Sequence, residues 1–452
     1  CDRPRRSLPS GILLGSAMCL QPRRAPLRAL AAVGIVAPQL SCWAQAQEQV
    51  PESPFAGVAR QLVEEECPSV EPGFVTPWVT VQTHFLQAQS VFFGAEADGR
   101  WQGLALLMHG LGVLLENLQV AYQCPFSCAR HFRLACEWAL ALGQPSRARG
   151  LVQMGNVFKL QAMARWWNSL GSSPATSNKR FEPRFQVEYT IAITQLHAAL
   201  QVPRRPLVRY GGGRGPRIEV HSICTYRSDP TSNTGPECPL PDLSVPNHRA
   251  YTERHGHRYV LHTKLPLPDR EAHYSKMLVI HEALRAADGP DWVFFIDCDA
   301  FFTNPNVSIA DILQTYGAAE PDGPHFLVAE DPGGINTGTL LFRRSDWSLA
   351  FLQQVAASQL GIAWDQSMFF WEILRPSLLE LRRDADFVLP REVAFVHQAH
   401  LNAFVPPAAR DWSAYEWQPR DFVRHFAGCP WQEPHCLGLM RETAPLSQAA
   451  AL

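Results

Sequence analysis

The sequence predicts an α/β fold, with a largely parallel sheet preceded by an all-helical region. Three observations carry this prediction. From residue 217 onward, short β-branched or aromatic runs alternate with amphipathic segments, the habit of a sheet covered by helices. Between about 75 and 200, apolar residues instead recur at helical spacing, as in Leu104–Met108, Leu111–Leu118 and Ala135–Leu142. A Gly-rich stretch, Tyr210-Gly-Gly-Gly-Arg-Gly-Pro216, separates the two regions; it leads into a strand and joins no strand to a helix, so it reads as a linker and not a phosphate cradle.

The chain divides accordingly into residues 1–50 (targeting segment and linker), 51–210 (helical region) and 216–440 (α/β domain). From Met18 the order is Arg23, Arg24 and Arg28, the apolar run Ala29 to Pro38, then Ala44-Gln-Ala46. That is the order of a cleaved secretory signal, with an Arg-rich organellar transit peptide as the alternative. The apolar run is too short to span a bilayer, which needs about 20 residues. In the helical region, Arg147 to Phe158 followed by another apolar helix suggests paired helices, tetratricopeptide-like or a plain helical cap. Gly171-Ser-Ser-Pro174 reads as a loop. Beyond the linker the expected order is a strand over 217–226, a polar loop from Ser228 to Pro246, a helix, a strand over 258–262 and a helix over 271–286. Tyr274, Met277, Leu278, His281 and Leu284 give that last helix an apolar face.

The turn signal Asp288-Gly-Pro290 then precedes Asp291-Trp-Val-Phe-Phe-Ile-Asp297, a buried strand by its length and its aromatic, β-branched content. Asp297-Cys-Asp299 ends it. Carboxylates where a strand leaves the carboxyl edge of an open α/β sheet sit where such sheets bind ligands. Hard oxygen donors on rigid backbone suit a Mg²⁺ or Mn²⁺ ion that also carries substrate phosphates. Cys298 points to the opposite face of the strand and reads as packing. Three segments follow: the polar turn and strand Ile335-Asn-Thr-Gly-Thr-Leu-Leu-Phe-Arg343, the helix start Trp364-Asp-Gln-Ser-Met-Phe-Phe370, and Asp421-Phe-Val-Arg-His-Phe-Ala-Gly-Cys429, which puts His425 at a strand end.

These segments, with Asn247-His-Arg-Ala-Tyr251, His255-Gly-His-Arg-Tyr259 and Tyr274-Ser-Lys276 upstream, resemble the family of fungal α-galactosyl- and α-1,6-mannosyltransferases and plant xyloglucan α-xylosyltransferases. The resemblance covers roughly residues 216 to 430. It implies a GT-A fold, a Mn²⁺ (or Mg²⁺) cofactor, and transfer of a hexose or pentose from UDP-sugar or GDP-mannose to a glycan or glycoprotein acceptor, with retention. On the matching positions it implies Asp297, Asp299 and His425 as metal ligands, with the two carboxylates bridging the ion to the sugar-nucleotide diphosphate. It implies Asp365 and Gln366 as the acidic-Gln pair beside the anomeric carbon, where a carboxylate stabilises an oxocarbenium-like state. A first-turn carboxylate is also favoured by the helix macrodipole alone. The resemblance further places Asn336, Thr337 and Gly338 against the donor and acceptor sugars, and Thr225 and Tyr226 near the nucleotide base. Plant members carry a Lys after the Gly-Cys of the histidine motif, where this chain has Pro430; Lys276 or Arg424 is the expected substitute for neutralising the diphosphate.

With 40 basic and 42 acidic side chains the net charge is −2, and no basic run is interleaved with aromatics, so nucleic acid is excluded as a partner. Cys224 with Cys238, and Cys429 with Cys436, are spaced to staple loops in an oxidising lumen, pointing to the secretory pathway and the Golgi, with organellar import as the alternative. Cys124, Cys128 and Cys136 lack a fourth ligand for zinc. The sequon Asn306-Val-Ser308 lies close to the metal turn. Two other readings stand beside the transferase: a catalytically inactive relative whose helical half binds a protein partner, and an unrelated metal-dependent phosphohydrolase, which only the Asp297/Asp299 pair supports.

Overall fold

The computed structural model describes residues 54–67, 70–94, 97–116, 118–169, 192–211, 215–225, 238–267, 272–331, 333–358, 364–381, 389–405, 415–427, 429 and 432–448. The signal-like segment around Met18, the loop at Gly171, Tyr226 and Pro430 lie outside them.

Helices come first: α1 (Ala56–Glu66), α2 (Pro72–Gly94), α3 (Ala97–Glu116), α4 (Leu118–Gln123), α5 (Pro125–Ala141), α6 (Pro145–Ser169) and α7 (Ala192–Leu200). α5 and α6 form a hairpin whose turn contains Gly143 at φ 74°, a left-handed conformation that glycine adopts without a Cβ penalty. Cys124 is bonded to Cys67, whereas Cys128 and Cys136 are buried free thiols.

The α/β region follows as β1 (Ile218–Ile223), α8 (Leu240–His255), β2 (Arg258–His262), α9 (Lys276–Arg285), β3 (Trp292–Ile296), β4 (Ala300–Phe302), α10 (Ile309–Thr315), β5 (Phe326–Asp331), β6 (Gly334–Arg343), α11 (Asp346–Ala357), α12 (Trp364–Leu381), β7 (Val393–Val396), α13 (Gln398–Leu401), β8 (Ala403–Phe404), β9 (Val423–His425) and α14 (Pro434–Thr443). The main sheet has the order β2-β1-β3-β6-β5-β7. Its strands are parallel except β6, which runs antiparallel between β3 and β5. The α/β expectation with a preceding helical region holds, with this one reversal. A second, three-stranded sheet, β4-β9-β8, stands at the carboxyl edge of β3.

Several local expectations need correction. β1 stops at Ile223, so Thr225 lies beyond it. α8 begins at Leu240, inside the predicted loop. Pro241 occupies its first turn, where a missing N–H costs nothing, and the helix runs through Pro246 to a left-handed Gly256 (φ 67°). In α9 the buried side chains are Lys276, Met277, Val279, Ile280 and Leu284, while Tyr274, Leu278 and His281 are only partly covered. The face is therefore rotated so that a lysine points inward. Cys224 bonds to Cys298 and not to Cys238: β1 and β3 are parallel neighbours, so their carboxyl ends converge and the two Cα atoms stand 5.3 Å apart. Cys429–Cys436 forms as expected.

One continuous apolar core joins Phe85, Phe132 and Phe158 of the helical region to Phe294, Ile335, Leu340 and Phe370 of the α/β region. A smaller cluster, with Cys224, Cys298, Phe301, Phe426 and Met440, lies behind the turn that carries Asp297 and Asp299.

Candidate functional site

Asp297-Cys-Asp299 is the turn between β3 and β4, held from several sides. Asp297 N donates to Gly338 O (2.7 Å), and Ala300 N closes the turn on Asp297 O (3.1 Å). The buried Cys298 is anchored through its disulfide to Cys224, which leaves the flanking carboxylates on the opposite, open side. α8 pins β4: Asn247 exchanges hydrogen bonds with the Phe302 backbone (3.0 and 2.8 Å), and His248 Nε2 donates to Ala300 O (2.7 Å). Burial lowers the His248 pKa to about 4, so the ring is neutral and its N–H serves that carbonyl. The Asn247-to-Tyr251 motif therefore acts by fixing the strand next to the acids.

β9 pairs antiparallel with β4, setting His425 opposite Ala300, and Phe426 N donates to Asp299 O (2.9 Å). His425 Nε2 thereby comes within 3.3 Å of Asp299 Oδ1, while its buried Nδ1 has no partner among the described residues. One ligand atom each from Asp297, Asp299 and His425 lies within 4.8 Å of the others. Asp297 and Asp299 keep 29% and 31% of their side-chain surface exposed, which leaves room for further oxygen ligands on one side. Two carboxylates and one imidazole with open positions fit a Mn²⁺ or Mg²⁺ ion shared with a phosphate group. Without an ion, burial pulls the imidazole of His425 down, but Asp299 and Asp297 outweigh it and its pKa stands above the ordinary value. Burial raises both carboxylates; His425 brings Asp299 below its ordinary value, whereas Asp297 stays raised.

Lys276 closes the site from beneath. It is 1% exposed, and Nζ lies 3.2 Å from Asp297 Oδ1 and 3.0 Å from Asp365 Oδ2, and donates to Thr337 O at 3.0 Å. Burial disfavours its charge, yet the two carboxylates together raise its pKa above the ordinary lysine value. Lys276 thus joins the metal turn to the first turn of α12. Arg424, the other candidate cation, points the opposite way: it alternates with His425 along β9, stacks on Trp417 and Phe426, and donates to Thr443 Oγ1 (3.0 Å).

Asn336, Thr337 and Gly338 lie inside β6 and not in a turn before it. The pairing of β5 with β6 steps from Val328↔Leu340 to Ala329↔Asn336, so Thr337, Gly338 and Thr339 bulge out of the ladder. A Cβ at Gly338 would stand 2.1 Å from His425 Cε1, so the imidazole rests directly on this glycine. Asn336 is committed to protein contacts: Oδ1 accepts from Gly338 N (2.8 Å) and Asn402 Nδ2 (2.7 Å), and Nδ2 donates to Asp331 Oδ2 (3.1 Å). Gln366 lies near the other end of this loop, where a Cβ at Gly333 would meet its Nε2 at 2.7 Å. Thr225, half-buried, follows the Cys224 that is tied to the metal turn; Tyr226 is outside the described residues. The structure therefore gathers Asp297, Asp299, His425, Lys276, Asp365, Thr337 and Gly338 at one place, with Gln366 and Asn336 at its margin. Sequence reasoning overlooked Asp331, although Phe326-Leu-Val-Ala-Glu-Asp331, an apolar strand ending in acids, repeats the pattern that drew attention to Asp297.

Fold and donor set together define an α/β protein with two carboxylates and an imidazole gathered at its sheet edge, a set that could hold a metal ion. Residues 225–320 and 312–436 match the model of the galactosyl transferase GMA12/MNN10 family, so this segment is similar to that family of glycosyltransferases. A probable α-1,6-mannosyltransferase of Saccharomyces cerevisiae is 26% identical over 226 residues, 43% of this chain and 56% of that protein. A probable α-1,2-galactosyltransferase of Schizosaccharomyces pombe is 25% identical over 219 residues, 41% and 58% respectively. A probable glycosyltransferase of Oryza sativa is 26% identical over 149 residues, 32% of each. The chain spans little more than half the length of the fungal relatives it matches. The crystal structure of a glycosyltransferase involved in the glycosylation of the major capsid of PBCV-1 aligns with 49% of this chain and 100% of its own, at 15% identity and a TM-score of 0.37.

Proposed function

We propose that this chain is a metal-dependent retaining glycosyltransferase that moves a hexose or pentose from a nucleoside-diphosphate sugar to a glycan acceptor. The observation that carries the reading is the convergence of Asp297, Asp299 and His425 within 4.8 Å, in a segment similar to a family of glycosyltransferases. A bound Mn²⁺ or Mg²⁺ supplies charge neutralisation for a leaving diphosphate. Asp297 and Asp299 hold that ion through hard oxygens, and His425, braced on Gly338, completes the ligand set. Lys276 bridges Asp297 and Asp365 and adds positive charge beneath the diphosphate, the role left open by Pro430 at the position of the plant lysine. Asp365 offers a carboxylate to an anomeric carbon that gains positive charge as its bond to the diphosphate breaks, and Gln366 orients the sugar beside it. Thr225, just beyond β1 and next to the Cys224 tied to the metal turn, is the described residue we assign to the nucleotide base.

The disulfides Cys67–Cys124, Cys224–Cys298 and Cys429–Cys436 support an oxidising compartment of the secretory pathway, the Golgi lumen being our reading. No helix among the described residues is long and apolar enough to cross a membrane. Calorimetric titration of UDP-galactose, UDP-xylose and GDP-mannose, with and without Mn²⁺, tests the proposal. One of these donors binding only with the ion supports it. No binding under either condition sinks it in favour of the inactive-scaffold reading.

A further inference from the structure

The family match begins at residue 225, yet the polar face of a helix far upstream reaches the same loop as Asn336 and Gln366. On α6, Arg149, Gln153, Asn156 and Lys159–Leu160 form one stripe at helical spacing. Arg149 and Gln153 donate to Glu330 Oε1 at 2.6 and 2.7 Å, and Glu330 Oε2 accepts from Val202 N at 2.6 Å. One to two turns on, Leu160 Cδ2 comes within 3.5 Å of where a Gly333 Cβ would stand, the same point approached by Gln366 Nε2 and Asp331 Oδ1. Lys159, 3% exposed, lies where its charge and that of Asp331 act on each other. Asp331 in turn accepts from Gly333 N (2.7 Å) and Asn336 Nδ2 (3.1 Å), and Asn336 Oδ1 accepts from Gly338 N, the residue on which His425 rests. Asn156, on the same stripe, buries an amide with no partner among the described residues. A face that merely packs a helix on a sheet has no use for so many buried polar groups, each of them destabilising if left unpaired.

We propose that α6 is a working part of the transfer site, Lys159 and Asp331 being positioning residues that fix Asn336 at the foot of the Thr337–Thr339 bulge and, through Gly338, the imidazole of His425. The inference rests on the glycosyltransferase reading and extends it: the helical half is required for transfer and is not a separate partner-binding module. Removing Lys159 takes away one of the two groups, with His197, that favour the Asp331 carboxylate electrostatically. The carboxylate then takes up a proton or turns away, and Asn336 loses the acceptor that fixes its amide.

The test uses the full chain with Lys159→Met, Asp331→Asn, their combination and Lys159→Arg. Turnover, KM for the donor, Mn²⁺ affinity and thermal melting are measured for each. Supporting partners of metal ligands are worth about 10–100-fold. Each single variant is therefore expected to lose about ten-fold in kcat and several-fold in Mn²⁺ affinity, with KM little changed and the fold intact. The double variant falls no further than the weaker single one, because both cut the same relay, and Lys159→Arg recovers most of the loss. Wild-type kinetics in both single variants, or losses that simply multiply in the double, overturn the inference. A wild-type chain that binds Mn²⁺ but turns over no donor sinks the transferase reading instead, and Mn²⁺ affinity alone then decides: unchanged affinity in Lys159→Met ends the proposal. Absence of any Mn²⁺ binding takes both down.

Discussion

Two buried lysines, Lys276 at the metal turn and Lys159 on α6, are pushed in opposite directions by their environments. Lys276 sits between Asp297 and Asp365, and its pKa is raised despite complete burial. At Lys159 burial outweighs the pull of Asp331 and lowers the pKa to about 8. The number of countercharges decides the outcome, because desolvation is a fixed penalty while each nearby carboxylate adds a separate favourable term. Lys276 is therefore a permanent cation, suited to a diphosphate. Lys159 is a weaker one, suited to holding a loop.

The largest effect expected from breaking this contrast lies at the metal turn. Asp297→Asn and Asp299→Asn are each expected to lower Mn²⁺-dependent donor turnover by roughly two to three orders of magnitude. Circular dichroism should show the fold retained, since both side chains are partly exposed. Next comes Lys276→Met, which strands Asp365 and the buried edge of Asp297. Cutting one partner from a buried pair costs about 3–5 kcal/mol, so a clear drop in melting temperature is expected together with the loss of turnover. Turnover without any change in melting would contradict the shared role. Gly338→Ala follows: its Cβ displaces His425, and Mn²⁺ affinity measured by calorimetry is expected to fall about 10–100-fold.

The smallest effect concerns pH and the neighbourhood of Lys159. Burial raises the Asp331 pKa from 3.8 to about 6, so the folded state prefers the protonated acid. Its contribution to stability is full below pH 3.8 and is lost as pH rises through about 6. Asp331→Asn is expected to remove that slope from urea-unfolding curves recorded between pH 4 and 7. An unchanged slope would show that Asp331 does not titrate as its surroundings dictate.

Much of the site was legible because it is written locally. Trp292–Ile296 is apolar, ends in acids and forms the buried strand expected; Asp365 stands in the first turn of a helix, and His425 closes a strand. What was not legible depends on distant pairing. The bulge at Thr337–Thr339 exists because β6 must serve β3 and β5 at once, and a Gly-containing polar segment looks the same in a turn. Cys224 finds Cys298 because strand order places β1 beside β3, which no spacing rule foretells. The α6 stripe meets Glu330 across 177 residues from Gln153, although the polar positions at helical spacing and the acids ending Phe326–Asp331 were both there to be read.

The central claim, one ion held by Asp297, Asp299 and His425 beside Lys276, is tested most directly by anomalous diffraction from crystals grown with Mn²⁺ and a nucleoside diphosphate. The account predicts a single anomalous peak within about 2–2.3 Å of an oxygen of each aspartate and of one imidazole nitrogen, with the diphosphate on its open side and Lys276 Nζ still on Asp297. A peak elsewhere, or a diphosphate bound with no ion between it and Asp299, would contradict it.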